Sequence, residues 1–131
     1  MNENKRSPNK TWIFDIDGVV FPHNGYLHLS DTEWERALPG FREFFERIDG
    51  DDFIIFVTSR SVEYADLTYR SLLKNGIRHD LVIFGLPTGA RILINDRKPD
   101  GKITAFSFNL ERDNFISAIQ NGELCKILEE G

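Results

Sequence analysis

Short apolar runs alternate along this chain with segments in which apolar residues recur at helical spacing. Residues 11–16, 53–57, 81–84 and 91–96 are rich in apolar and β-branched side chains, a pattern typical of buried strands. Residues 103–108 alternate loosely and predict a fifth, edge-like strand. Strands that alternate with helices favour an α/β fold with a mostly parallel sheet of about five strands, covered by helices on both faces.

Three helices are predicted to connect and follow the strands. The first spans residues 40–49, the second begins after a capping Ser61 and ends at Asn75-Gly76, and the last begins after a capping Asp113. Each helix has an apolar face. These faces comprise Phe41, Phe44, Phe45 and Ile48 in the first helix, Ala65, Tyr69, Leu72 and Leu73 in the second, and Phe115, Ala118, Ile119 and Gly122 in the last.

A long irregular segment follows the first predicted strand. Residues 19–39, here called the flap, have no clear period and contain Pro22, Gly25 and Pro39. A loop of roughly twenty residues is long for a compact domain, so we expect the flap to have a role near a functional site. The chain shows no linker or repeat, which predicts a single domain over residues 11–131 after a flexible polar tail at residues 1–10.

Charge and composition narrow the function classes. The net charge of −5 argues against nucleic acid or an anionic membrane as the main partner. The single cysteine, Cys125, excludes a disulfide within the chain and a multi-cysteine zinc site. No signal peptide or membrane-spanning run is recognisable, so a cytoplasmic location is the expectation. The sequence leaves a homo-oligomer open.

Three of the predicted strands end in polar or charged residues. The first ends in Asp15 and Asp17, the second in Thr58, Ser59 and Arg60, and the fourth in Asn95 and Asp96. Asp15 and Asp17 are two positions apart, so in an extended chain their side chains point to the same side. Ligands of parallel α/β sheets bind beyond the carboxyl ends of the strands, so we expect these residues to form one site.

This set of residues suits the hydrolysis of a phosphate ester. Two neighbouring carboxylates repel each other unless a cation lies close to them, and their oxygens are ligands that suit Mg²⁺. Asp15 is the candidate nucleophile, which would form an aspartyl phosphate, and Asp17 is the candidate general acid and base. The candidate metal ligands are Asp15, Asp17 and Asp96. The candidate phosphate-binding residues at the second strand end are Thr58, Ser59 and Arg60.

Residues 14–20 read Phe-Asp-Ile-Asp-Gly-Val-Val, residues 56–60 read Phe-Val-Thr-Ser-Arg, and residues 92–96 read Ile-Leu-Ile-Asn-Asp. In this order and spacing, they resemble the first, second and fourth motifs of the haloacid dehalogenase superfamily of phosphohydrolases. The resemblance implies a Rossmann-like three-layer sandwich, Mg²⁺, and Asp15 and Asp17 in the roles given above. The aspartate at position 17 is similar to the phosphatase branch, and the short flap to small-cap or capless members. Residues 85–96 are similar to phosphatases of capsule or lipopolysaccharide sugar synthesis, which implies a sugar phosphate as substrate.

Two positions depart from the family pattern. The family has a lysine before its fourth motif that holds the nucleophile and the phosphate together, and the matching position here is Leu86. The fourth motif usually has two acidic residues, whereas this chain has Asn95 before Asp96. Lys98 is the candidate replacement for the lysine in phosphate binding, with Arg91 and Arg60 as the other nearby cations. The alternative is a weakly active or inactive protein of this fold that serves in binding or regulation.

A phospho-acceptor receiver domain also has alternating strands and helices and an acidic pocket. It needs its acceptor aspartate on a middle strand and a lysine at the end of a later strand. Here the acidic pair follows the first strand, and the fourth predicted strand ends without a lysine. The sequence therefore favours the phosphohydrolase over the receiver.

Overall fold

A computed structural model describes residues 8–129 and has an α/β architecture with a small parallel sheet, which confirms the α/β part of the predicted fold class. Within this range, β1 (Thr11–Asp15), β2 (Phe53–Val57) and β3 (Leu81–Ile83) form a parallel sheet in the order β1-β2-β3. The helices are α1 (Phe41–Phe45), α2 (Ala65–Lys74), α3 (Phe115–Gln120) and α4 (Glu123–Glu129), and 3₁₀ turns lie at Gly25–His28 and Val62–Tyr64.

The hydrophobic core covers one face of this sheet. Trp12 and Phe14 alternate with more exposed residues along β1, and Ile54 and Phe56 are buried two positions apart on β2, so these four side chains share the buried face. Rings from the helices pack against them, and the Phe14 and Phe41 ring centroids are 5.4 Å apart. The predicted apolar face of the first helix is therefore confirmed, although α1 is shorter than predicted. The aromatic cluster comprises Trp12, Phe14, Phe41, Phe44, Phe45, Phe56 and Phe115.

The second face of the sheet is largely exposed, although Val57 of β2 is buried there and Ile55 is half-buried. The prediction of about five strands covered on both faces is not confirmed. Residues 91–96 and 103–108 belong to a long segment without regular secondary structure, and their apolar side chains are exposed. Their composition favours strands, but a strand forms only where backbone groups find a neighbouring strand to pair with. In the described range, β1 is paired only with β2 and forms one edge of the sheet.

The buried face of α2 differs from the predicted one. Tyr69 and Leu73 are exposed, whereas Thr68, Ser71 and Leu72 are buried. The cause is hydrogen bonding, because the hydroxyl groups of Thr68 and Ser71 are partners of groups in the site described below. A polar side chain is stable in the interior when its hydrogen bonds are made.

Two of the three helix ends predicted from the sequence have the expected capping or terminating residue. Ser61 accepts a hydrogen bond from the Glu63 N–H at the 3₁₀ turn that leads into α2, and Gly76 has a φ of 71° just after that helix. The prediction that Asp113 caps α3 is wrong, because the side chain of Asn114 accepts the Ser117 N–H instead. Asp113 accepts a hydrogen bond from the His23 N–H, so it holds the flap.

Asp52 fastens the residues before β1 to the start of β2. Its carboxylate accepts hydrogen bonds from the Trp12 indole, the Lys10 N–H and the Asn9 side chain, each at 2.9 Å. The predicted flexible tail at residues 1–10 falls largely outside the described residues. Its final part, Asn9 and Lys10, is bonded to Asp52.

We expect Asp52→Ala to lower the free energy of unfolding by about 2–3 kcal/mol, because the buried Trp12 indole N–H loses a charged acceptor. Burial alone would raise the pKa of Asp52, but the hydrogen bonds from Asn9, Lys10 and Trp12 outweigh it and lower the pKa. The stabilisation is therefore present above the unfolded-state pKa and is lost as pH falls through the folded-state value.

Urea denaturation at about pH 7 and at about pH 3 tests this prediction. The gap in stability between wild type and Asp52→Ala should be larger at the higher pH. The exposed neighbour Asp51 provides a matched control, and Asp51→Ala should change stability by less than about 0.5 kcal/mol. An equal effect of the two substitutions would contradict the role given to Asp52.

Candidate functional site

The carboxyl ends of β1 and β2 come together as the topology predicts. Asp15 is aligned with Val57 in the parallel register, and the Thr58 hydroxyl donates a 2.9 Å hydrogen bond to Asp17. Gly18 follows with a φ of 86°, and its N–H donates to the Phe21 carbonyl at 2.7 Å. A residue with a side chain would be strained in this left-handed conformation, so glycine permits the tight turn behind the two aspartates.

Asp17 belongs to a buried ion cluster, defined here as Asp17, Glu35 and Arg60. The Arg60 guanidinium is completely buried and lies 3.0 Å from Asp17 Oδ1 and 2.7 Å from Glu35 Oε2. Its Nη1 also donates to the Thr68 hydroxyl at 2.9 Å. The Tyr26 ring covers the guanidinium at 4.2 Å from the ring centroid. The cluster thus joins the end of β1, the flap, the end of β2 and α2.

The hydrogen bonds of Arg60 decide what this residue can bind. A guanidinium has five N–H donors. Nε donates to Asp17, Nη1 donates to Glu35 and Thr68, and Nη2 donates to Glu35 and lies 3.0 Å from Asp17 Oδ1 as an ion pair. The Arg60 side chain is also completely buried, so in this arrangement the predicted phosphate ligand is bonded to protein groups and is out of reach of a phosphate. Burial would lower the pKa of Arg60, but its bonds to Glu35 and Asp17 raise it, which keeps the cation charged.

Glu35 is a buried carboxylate supplied by the flap. Its N–H donates to the Ser71 hydroxyl at 2.9 Å, and its carbonyl accepts the Asn75 amide at 2.8 Å. Burial raises the pKa of Glu35, although Arg60 acts in the opposite direction. The flap is therefore fixed to α2 by its backbone and to Arg60 by a side chain. No sequence pattern marked Glu35, because one glutamate in an irregular, charged segment gives no signal of burial.

Asp15 has a different environment from Asp17. Its Oδ1 lies 3.1 Å from Arg91 Nη1, and each of these two side chains is 41% exposed. The same oxygen accepts the Ile16 N–H at 2.9 Å. Arg91 is thus the cation that the structure places at the candidate nucleophile, and solvent reaches both partners. The sequence had offered Arg91 only as one of the other nearby cations, with Lys98 as the candidate.

The remaining predicted site residues lie outside these contacts. The Ser59 hydroxyl is exposed and points to the Pro87 carbonyl at 3.4 Å. Asp96 and Lys98 are exposed residues of the long segment, where the Asp96 carbonyl accepts the Thr104 hydroxyl and the Lys98 N–H donates to the Lys102 carbonyl. Among residues 8–129, no three histidine, cysteine or acidic side chains are grouped so that they could hold a metal ion, so the predicted set of Asp15, Asp17 and Asp96 is not assembled.

A cleft of about 470 Å³ lies along the flap beside the buried ion cluster. Trp34, Thr32 and Glu33 line it together with Glu35. The Trp34 ring is flanked by the Lys74 ammonium at 4.9 Å from its centroid, so the indole is held in place by a cation. The described residues that line the cleft all belong to the flap, between positions 22 and 36.

Comparisons with known proteins do not assign this chain to a family. Searches of protein-family models, of curated proteins and of solved structures each found no match. No helix within residues 8–129 has both the length and the apolar character needed to cross a bilayer. The function proposed for the site therefore rests on its own residues and their geometry.

Proposed function

We propose that this chain is a phosphoric monoester hydrolase of the haloacid dehalogenase type, acting on a small phosphorylated metabolite such as a sugar phosphate. The observation that carries the proposal is Asp15, a solvent-accessible carboxylate at the carboxyl end of β1 with a guanidinium at 3.1 Å. A nucleophilic carboxylate needs a nearby positive charge before a phosphate anion can approach it. Arg91 supplies that charge, and its exposure lets a phosphoryl oxygen share it.

The two aspartates have different roles in the proposed reaction. Asp15 attacks phosphorus, and the bond from phosphorus to the ester oxygen breaks as the aspartyl phosphate forms. Asp17 gives a proton to the leaving oxygen and then takes one from the water that attacks the aspartyl phosphate, which releases inorganic phosphate. The Thr58 hydroxyl and Arg60 orient Asp17 for these transfers. Arg60 is thus a positioning residue.

Mg²⁺ is the proposed cofactor. The donor set fits in kind, because Mg²⁺ commonly binds one or two carboxylates and completes its shell with waters and substrate phosphate. Asp15 and Asp17 would hold it, and the ion would neutralise charge on the phosphoryl oxygens. Asp96 is not placed with them. The proposal also includes the five-strand sheet that the family resemblance implies. That sheet would form only if residues 91–96 and 103–108 joined it as strands.

Phosphate release from generic and sugar phosphates, measured with Mg²⁺ and with EDTA, tests the proposal on the wild-type chain. We expect release that depends on Mg²⁺ and varies among sugar phosphates. Rates equal to the protein-free blank for every substrate would contradict hydrolysis.

A second candidate function is binding or regulation without turnover. The observation that favours it is the guanidinium partner on each aspartate, Arg91 on Asp15 and Arg60 on Asp17. Each of these contacts occupies a carboxylate oxygen that the proposed reaction would need for attack, proton transfer or metal binding. Calorimetric binding of inorganic phosphate without any phosphate release would support this candidate over the first.

A further inference from the structure

Two half-buried tyrosines lie at the buried ion cluster. Tyr26 belongs to the 3₁₀ turn of the flap, and Tyr64 is the last residue of the 3₁₀ turn that leads into α2. Their ring centroids are 4.7 Å apart and their planes are inclined by 76°, which is an edge-to-face contact. The Tyr26 ring also covers the guanidinium of Arg60, which is paired with Asp17 at 3.0 Å. The two rings, here called the tyrosine pair, are therefore linked to Asp17 through one side chain.

The phenol hydroxyls of the tyrosine pair are available to a bound molecule. Within residues 8–129, neither hydroxyl makes a hydrogen bond to a protein group, and no side-chain oxygen is both buried and without a partner, so both hydroxyls reach solvent. Burial raises the pKa of Tyr26, and the charge of Asp17 raises it further, although Arg60 acts in the opposite direction. The Tyr26 hydroxyl is thus an unused hydrogen-bonding group in the neighbourhood of Asp17.

The role proposed for Asp17 indicates which part of a substrate meets the tyrosine pair. Asp17 gives its proton to the ester oxygen, while the phosphorus atom is attacked by Asp15. The group that leaves with the ester oxygen must therefore lie on the side of Asp17. The solvent-accessible hydroxyls of Tyr26 and Tyr64 lie around the same cluster, where they can contact that group.

The geometry of the two rings favours a hydroxylated ring over a planar base. A base stacks on the flat face of an aromatic side chain. Here one face of Tyr26 lies against the guanidinium of Arg60, and the 76° angle to Tyr64 leaves no slot between parallel faces. A sugar ring presents both hydroxyls and C–H groups, which suit a side chain that has an apolar ring and a polar tip.

We propose that the tyrosine pair is the subsite for the leaving group and that this group is the ring of a sugar. The hydroxyls of Tyr26 and Tyr64 exchange hydrogen bonds with hydroxyls of the sugar, and the accessible parts of the rings contact its C–H groups. The pair thereby selects among phosphate esters, whereas Asp15 and Arg91 act on the phosphate that all of them share. This assignment rests on the proposed phosphatase function, but it predicts binding, which can be measured without turnover.

Calorimetry with the Asp15→Asn chain in Mg²⁺ tests the subsite, because this variant lacks the nucleophile and should bind substrates without hydrolysing them. The probes are inorganic phosphate and a panel of hexose and pentose monophosphates. We expect at least one sugar phosphate to bind more tightly than inorganic phosphate. Added to this background, Tyr26→Phe and Tyr64→Phe should each weaken its binding by about 3- to 10-fold, the effect of losing one neutral hydrogen bond, and should leave inorganic phosphate unchanged.

The phenylalanine variants keep both rings and the contact with Arg60, so circular dichroism should show that they stay folded. Tyr69→Phe, at a 40% exposed position on α2, is the matched control and should change neither affinity. A panel in which no sugar phosphate binds more tightly than inorganic phosphate would overturn the proposal. So would equal affinities in the variants with and without the two hydroxyls, or nucleoside monophosphates that bind more tightly than every sugar phosphate.

Phosphate release by the wild-type chain, measured with the same panel, distinguishes the subsite from the reaction. Sugar phosphate binding that depends on both hydroxyls, without any release, would support the subsite and reject the hydrolase. Release of phosphate by the wild-type chain, together with binding that depends on neither Tyr26 nor Tyr64, would support the hydrolase and reject the subsite.

Discussion

Arg60→Leu is expected to lower the free energy of unfolding by about 3–5 kcal/mol, the loss seen when one partner of a buried ion pair is removed. Leucine fills part of the space of the guanidinium but leaves the carboxylates of Asp17 and Glu35 without their cation. Glu35 is almost completely buried, so water cannot replace the lost partner. Equilibrium denaturation in urea measures the change.

Arg91→Leu provides the comparison for Arg60→Leu, because it also removes an arginine that is paired with an aspartate. The pair of Arg91 and Asp15 is exposed, and exposed pairs contribute about 0–1 kcal/mol. The stability of Arg91→Leu should therefore lie close to that of wild type. Similar losses in the two variants would contradict the assignment of the structural role to the buried ion cluster.

A second substitution separates lost charge compensation from lost packing. In the wild-type background, Glu35→Gln should destabilise, because it weakens the charged bonds to Arg60. In the Arg60→Leu background, the same change should restore part of the stability, because it removes an uncompensated buried charge. A non-additive result of this sign is the signature of direct coupling between the two residues.

The pH dependence of Arg60→Leu follows from Glu35. Burial already raises the pKa of Glu35, and loss of the guanidinium would raise it further. A carboxyl group whose folded-state pKa exceeds its unfolded-state value gives stability below the unfolded value and loses it as pH rises through the folded one. The gap between Arg60→Leu and wild type should therefore be smaller at about pH 4 than at about pH 7.

The sequence predicted the elements whose environment is set by apolar pattern. Residues 53–57 form β2 as expected, and Phe41, Phe44, Phe45 and Ile48 are buried as a face. These predictions succeed because the burial of large apolar side chains dominates folding, and the spacing of apolar residues can be read directly from the sequence.

The burial of polar side chains could not be predicted from the sequence in the same way. The interior face of α2 is formed by Thr68 and Ser71 because Arg60 and the backbone of Glu35 lie against it. Arg60 itself follows a strand end, a position that suggested phosphate binding, and only its contacts show that its donors are used within the protein. Pairings between residues distant in the chain leave no periodic signal, so Glu35 was missed altogether.

The segment of residues 91–96 shows the converse limit, in which a strand-like composition does not lead to a strand. Residues 91–96 have the composition of a strand and were predicted to be one, yet their backbone is unpaired with the sheet in the described range. Composition expresses what a segment would gain from pairing and does not specify the partner.

Asp15→Asn should reduce phosphate release by at least about 10³-fold while leaving the fold intact. Asparagine keeps an oxygen that can accept the Ile16 N–H, but it is not a nucleophile toward phosphorus. Asp15 is exposed and paired only with the exposed Arg91 among the ion pairs described, so the stability should change by less than about 1 kcal/mol. Rate and urea stability are measured on the same preparation.

Asp17→Asn is expected to differ from Asp15→Asn in its effects on stability and activity. It removes a charge that the buried Arg60 requires, so stability and activity should fall together, whereas Asp15→Asn affects activity alone. Asp66→Asn, at an exposed position on α2, controls for the loss of one negative charge and should change neither quantity. Phosphate release that persists in Asp15→Asn at the wild-type rate would exclude Asp15 as the nucleophile. Asp17 carries the charge that stabilises the fold, and Asp15 carries the charge that solvent and substrate can reach. This pair of variants therefore distinguishes a loss of catalysis from a loss of stability at the end of β1.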